Sequence, residues 1–185
     1  MDRLLTYDAM KEKLNNSDMS EKMKKFWLYR HNLRLKQWYD RLKEIMNNYK
    51  PLFNDLDIRR SVSPSFNYQK HNLKGEIWKD FPLDKDYTVS NLGRIKYKGI
   101  IQKQKDDKIQ YLTLADESLR KDYIYNFVAY TFLGKKAGDG MHVHHITNDG
   151  YYNTEENLVL LTKDEHSYIH GFEVGANNRG KGVNW

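Results

Sequence analysis

Cysteine is absent from the 185 residues, which excludes a disulfide framework and any zinc site built on thiolates. No apolar run approaches the ~20 residues needed to cross a bilayer. The opening stretch, MDRLLTYDAMKEKL, also lacks the apolar core of a signal peptide. A soluble cytoplasmic protein with no membrane partner is the expectation. Hydrophobic residues are scarce, at 39% beside 30% charged. Aromatics at 14%, including 14 Tyr, partly offset this by supplying large buried area per residue. The length suits one domain, or one domain plus an appendage. Net charge is missing from most of the chain: residues 71–185 hold 16 Lys/Arg and 16 Asp/Glu, while residues 1–70 hold 15 and 9. The whole excess of +6 therefore sits in the N-terminal third. Such asymmetry points to a phosphate-bearing partner.

Histidine is where the chain is rich. Of 7 histidines, 5 fall between His142 and His170, in HVHHITNDGYYNTEENLVLLTKDEHSYIH. Met141 to Ile146 is short and half apolar, as an edge strand would be. Residues 147–154 carry the Asn, Asp and Gly of a turn. Leu158 to Leu161 has strand length. Thr162 followed by Glu165 is a capping box, so a helix is expected from Lys163, with Gly171 placed to end it. On that helix His166 and His170 share a face, one turn apart. On the strand, His144 and His145 point to opposite faces. Three imidazoles converging from strand and helix make a metal site with open positions. The fourth, His145, is then available as a general base near neutral pH.

The segment 142–170 resembles the HNH, or ββα-metal, nuclease motif in the form found in phage endonucleases and DNase colicins. The resemblance implies a role for each residue. His144 matches the first metal ligand and His145 the base that activates water. Asn157 matches the central Asn that hydrogen-bonds across the loop and holds the base in place. His166 matches the second ligand, and His170 a third ligand or a phosphate contact. Many phage relatives follow the histidine pair with Ile-Asp-Gly-Asn, where this chain has Ile146-Thr147-Asn148-Asp149. His142 matches no family role.

Upstream, residues 76–99 (EIWKDFPLDKDYTVSNLGRIKYKG) read as strand-like pieces at Glu76–Phe81, Tyr87–Ser90 and Arg94–Tyr97, with a turn at Asn91-Leu92-Gly93. The stretch resembles a small modular motif of phage HNH homing endonucleases, E-x-W-K followed by Y-x-V-S-N-x-G-R-I. That resemblance implies a DNA-binding half of the nuclease. Gly93 allows a tight turn, which would present Arg94, Lys96 and Lys98 at a sheet edge as DNA-binding residues. A further strand pair is expected around 105–115. A helix is expected over 121–133, with Ile124, Phe127, Val128 and Phe132 inward. Its V-H-R-type counterpart in relatives carries a His-Arg pair that is missing here.

The N-terminal residues fall outside the resemblance. Residues 4–14 read as a short amphipathic helix. Asp18 with Glu21 offers a second helix start. From it, apolar residues recur at helical spacing: Met19, Met23, Phe26 and Trp27, then Trp38, Leu42, Ile45, Met46 and Tyr49. Lys22, Lys24, Lys25, Arg34, Lys36, Arg41 and Lys43 occupy the other surface. The apolar stripe needs a partner: helix 4–14, the nuclease part, or a second chain.

The expected fold is α+β, with a helical N-terminal region, a small mixed α/β module and a C-terminal ββα-metal (HNH) core. The expected segments are a basic helical region (1–53), a linker (54–75), the modular segment (76–134), the nuclease core (135–171) and a flexible tail (172–185). The expected activity is metal-dependent hydrolysis of DNA phosphodiesters, in a phage or mobile-element setting within a bacterial cytoplasm. One divalent ion would serve, Mg by availability, with Mn, Ni or Zn also suited to imidazoles. The alternative is a DNA-binding or packaging accessory on a nuclease fold, its N-terminal helices binding a protein partner or self-associating.

Overall fold

The computed structural model describes residues 4–50, 72–102, 105–107, 109–113 and 121–171. Most of the expected linker, residues 54–71, and the expected tail, 172–185, lie outside the described residues. The architecture is mixed α and β, with helices and small sheets. Two compact units are present: residues 1–48 with 161–185, and residues 49–160. Among the described residues no helix is long and apolar enough to cross a membrane.

In the first unit, helix α1 (Tyr7–Asn15) starts where the Thr6 hydroxyl accepts from the Ala9 N–H, and helix α2 (Glu21–Asn47) where Ser20 accepts from Met23. The cap of α2 is thus Ser20 rather than Asp18. Ser20 has extended backbone angles and its Oγ lies 3.4 Å from the Met23 nitrogen, which satisfies an orphan donor of the first turn. Helix α2 buries His31, Leu35, Tyr39 and Met46, a single stripe that begins beyond its first ten residues. Both α1 and the short C-terminal helix (Lys163–Ile169) pack against it. The stripe expected in its first two turns is not covered: Met23, Phe26 and Trp27 stay 46%, 48% and 40% exposed. Helical spacing located an apolar face there but not what would cover it. Ile45, expected in the same stripe, is also exposed. The contacts across α2 are partly polar. His31 Nε2 lies 2.8 Å from the Leu5 carbonyl, and Trp38 Nε1 donates to Glu165 at 3.1 Å. The Tyr168 hydroxyl donates to Asp40, and its ring packs 5.1 Å from that of Tyr39.

In the second unit, strands β1 (Trp78–Asp80), β2 (Tyr87–Ser90), β3 (Ile95–Tyr97) and β4 (Ile100–Ile101) form an antiparallel meander in chain order. Alternation sets its faces: Val89 pairs with Ile95, and both are fully buried. Strands β5 (Lys105–Asp107), β6 (Ile109–Thr113) and β7 (Lys121–Tyr123) form a second antiparallel sheet. The chain passes directly from β7 into helix α3 (Ile124–Phe132), shorter at its start than the expected 121–133 because residues 121–123 pair with β6. Phe81, Tyr87, Val89, Ile95, Ile124, Phe127, Val128 and Leu158 make one core, with the Phe81 and Phe127 rings 4.7 Å apart. Each such side chain contributes about 1.5–3 kcal/mol by leaving water. The core fixes α3 against the meander and reaches Leu158, which ties it to the histidine-rich segment.

Candidate functional site

That segment folds as strand β8 (His142–His145), a loop closed by a 3-10 turn (Glu155–Asn157), strand β9 (Leu158–Leu161) and helix α4 (Lys163–Ile169). Strands β8 and β9 pair with each other. The loop has local causes. Asn148 takes a positive φ of 57°, a conformation Asn tolerates better than most residues. Asp149 accepts from the Tyr151 N–H at 3.0 Å. Helix α4 begins at a complete capping box: Thr162 accepts from the Glu165 N–H, and Glu165 accepts from the Thr162 N–H at 2.7 Å. Gly171, at φ 92°, follows its last turn.

His144 is buried on β8, while His166 lies on α4 and His170 is the residue that caps its C-terminal end, with the two ring centroids 4.6 Å apart. The three could hold a metal ion: each offers one ring nitrogen, and these atoms all lie within 4.8 Å of one another. Three imidazolium ions would repel strongly at such spacing, so the group is compatible with neutral rings or with a shared cation. Burial holds the pKa of His170 below its ordinary value, which keeps its nitrogen free of a proton at neutral pH. A donor set made only of imidazole nitrogens fits a divalent ion of the Mn to Zn series and leaves positions for water or substrate.

His145 faces other neighbours. Its Nε2 lies 2.9 Å from Asn153 Oδ1, and its ring meets that of Tyr125 edge-on at 5.6 Å. Burial lowers its pKa, against smaller raising effects from the Asn153 hydrogen bond and the Asp149 charge. The net direction keeps the ring neutral near pH 7, the state in which imidazole accepts a proton.

Asn157, expected to hydrogen-bond across the loop and hold His145 in place, is fully buried and does bridge the loop. Its Oδ1 accepts from the Thr147 N–H at 3.1 Å, and its Nδ2 donates to the Tyr152 carbonyl at 2.7 Å. Its own carbonyl accepts from the Ile146 N–H at 2.8 Å. It therefore pins the backbone just after His145, while the hydrogen bond to the ring comes from Asn153. The sequence carried a signal for Asn153 only as one more polar residue in a turn-rich loop.

The modular motif also differs from expectation. Arg94 is not at the sheet edge. Its side chain and that of Glu76 are 1% and 0% exposed, and they form a two-pronged ion pair, with Arg94 Nε donating to Glu76 Oε1 at 2.7 Å and Nη2 to Oε2. A guanidinium out of water needs such a partner, and the motif's own Glu supplies it. Lys96 is half-buried with its ammonium 3.7 Å from the centre of the Trp78 ring. Lys98 is exposed, at a positive φ of 47°, and pairs with Asp86 at 3.3 Å. Its pKa is raised, by the Tyr97 hydroxyl first and Asp86 next. Of the three expected DNA contacts, then, Arg94 belongs to the interior, and Lys96 and Lys98 reach the surface.

No protein-family model matches the chain, and comparison with curated proteins gives no match. Among solved structures, the chain is similar to the HNH homing endonuclease I-HmuI, from a study of its DNA binding and cleavage. The similarity is 24% identity at a TM-score of 0.44, over 51% of this chain and 59% of that one.

Proposed function

We propose that this protein is a metal-dependent endonuclease of the HNH type that hydrolyses DNA phosphodiester bonds. The observation that carries the reading is the three-imidazole group of His144, His166 and His170 beside a fourth, separately held imidazole, His145. The sequence likeness of residues 142–170 to the ββα-metal motif supports the same assignment of roles. A divalent cation held by His144, His166 and His170 would supply positive charge where negative charge develops on the phosphate.

The chain's own residues do the rest. His145, neutral near pH 7, takes a proton from a water molecule as its oxygen attacks phosphorus, and the 3′ oxygen departs. Tyr125 and Asn153 confine the imidazole. Asn157 fixes the backbone that follows it. DNA approaches the surface cations, with Lys96, Lys98 and the basic face of α2 meeting phosphates rather than reading bases. Incubation of the purified protein with supercoiled plasmid and Mg, Mn, Ni or Zn tests the reading. Nicked or linear product in at least one metal, lost with chelator, is expected. An intact plasmid under every metal overturns it.

A second reading has one observation behind it. The exposed Met23, Phe26 and Trp27 on α2 suit a protein partner or a second copy of the chain. Under it the nuclease fold serves as an accessory, and the expected mark is binding of DNA without cleavage in any metal.

A further inference from the structure

The amide of Asn153 makes two hydrogen bonds that together settle which nitrogen of His145 carries the hydrogen. Asn153 Nδ2 donates to the Gly150 carbonyl at 3.2 Å. A carbonyl oxygen only accepts, so the NH2 group must face Gly150 and the Oδ1 must face His145. Oδ1 in turn only accepts. The His145 Nε2, 2.9 Å away, must therefore be the donor. The lone pair of the neutral ring then lies on Nδ1.

Asn153 is itself braced by a different part of the chain. Gly93, at φ 79°, sits against it so closely that a Cβ there would meet the Asn153 carbonyl oxygen at 2.8 Å. The carbonyl of Asn91 accepts from the Glu155 N–H at 2.7 Å, and Leu92 packs on Tyr152. The turn is rigid in its own right. Asn91 Oδ1 accepts from the Ile77 N–H at 2.8 Å, and Ser90 Oγ from the Leu92 N–H at 2.9 Å. Arg94, next after Gly93, is held in the buried ion pair with Glu76.

We propose that Asn153 is the positioning residue of His145, fixing the tautomer with Nε2 protonated, and that the Asn91-Leu92-Gly93 turn holds Asn153 in place for that task. The inference rests on the proposed role of His145 as base. It gives the S-N-x-G-R turn a task inside the catalytic machinery: it sets the loop that aims the base. Asn153 acts through His145, and the turn acts through Asn153.

The test reads the ring directly. Full-length protein labelled with 15N-histidine is examined by long-range proton–nitrogen NMR, without metal, at a pH where the rings are neutral. In the native protein His145 is expected to show protonation at Nε2 alone. Asn153→Ala should give mixed tautomers, Gly93→Ala should shift the mixture the same way, and Asn153→Asp, which keeps an acceptor, should restore Nε2 protonation. In cleavage assays Asn153→Ala should lower kcat by about 10- to 100-fold, the scale of a misaligned catalytic group. KM and metal affinity should hold, and Asn153→Asp should recover part of the loss. Native His145 protonated at Nδ1, an unchanged tautomer in folded Asn153→Ala, or an unchanged kcat despite a changed tautomer would each overturn the proposal. If the native protein cleaves nothing but the tautomer follows Asn153 as described, the nuclease reading fails and the positioning contact stands.

Discussion

Two groups of ionisable side chains are gathered in this protein, and they are gathered differently. Glu76 and Arg94 are opposite charges that answer each other through a two-pronged pair. His144, His166 and His170 are like groups, three imidazoles whose ligand nitrogens lie within 4.8 Å of one another, with the His166 and His170 rings in edge-on contact. The first arrangement closes on itself and serves the fold. The second offers three ring nitrogens that could hold a metal ion. What distinguishes the two is the pairing of opposite charges in the first and a shared set of donor nitrogens in the second.

The largest effect expected on either side is on stability at the ion pair. Arg94→Ala leaves a carboxylate buried without its partner, and should destabilise the protein by about 3–5 kcal/mol. Chemical unfolding of the two proteins measures this. The double change Glu76→Leu with Arg94→Leu should recover much of the loss. His166→Ala, by contrast, should change the stability of metal-free protein far less while weakening metal binding. A large loss of metal-free stability there would erase the distinction between the two groups.

Acid sharpens the comparison. Burial pushes the Glu76 pKa up from its ordinary value of 4.5, but hydrogen bonds from Arg94, the Leu73 N–H and Ser90, with the Arg94 charge, outweigh this and hold it below. A carboxylate with a lower pKa folded than unfolded contributes its full stability above the unfolded value. That contribution is lost as pH falls toward the folded one. Unfolding free energy should therefore decline below about pH 5, and the decline should be shallower in Glu76→Gln. Equal declines in the two proteins would remove Glu76 from the explanation.

Much of the site was legible because its signals are local. The capping box of Thr162 and Glu165 announced α4, and the i, i+4 spacing placed His166 and His170 together. The alternation of a strand separated His144 from His145. What was not legible depends on contacts distant in sequence. Arg94 reads as a surface cation until Glu76, 18 positions away, is found beside it. Asn153 reads as turn chemistry until its amide is seen against His145 and its backbone against Gly93. The apolar positions of α2 were legible as a periodicity, but which part would be covered depended on where α1 and α4 pack.

The smallest effect concerns the basic face of α2. Because α4 packs on α2, removing the N-terminal residues would disturb the helix that carries His166 and is capped by His170. Charge neutralisation is the cleaner probe. Lys22, Lys25 and Arg34 are exposed. Changing them to Gln should leave any cleavage position unchanged, and should reduce the slope of log affinity against log salt by roughly 0.9 for each phosphate no longer neutralised. Equal slopes would assign that face to a protein partner.

The most direct measurement pairs calorimetric titration of Mn or Zn with plasmid cleavage on the same samples of the native protein, His144→Ala, His166→Ala and His145→Ala. The native protein should bind one ion and cut. His144→Ala and His166→Ala should lose both affinity and cutting. His145→Ala should bind the ion as the native protein does and lose about 10²–10⁴ in rate, as expected for a missing general base. Undiminished metal binding in His144→Ala and His166→Ala, or a loss of binding in His145→Ala as large as in those two, would contradict the division of the histidines into holders of the ion and a base.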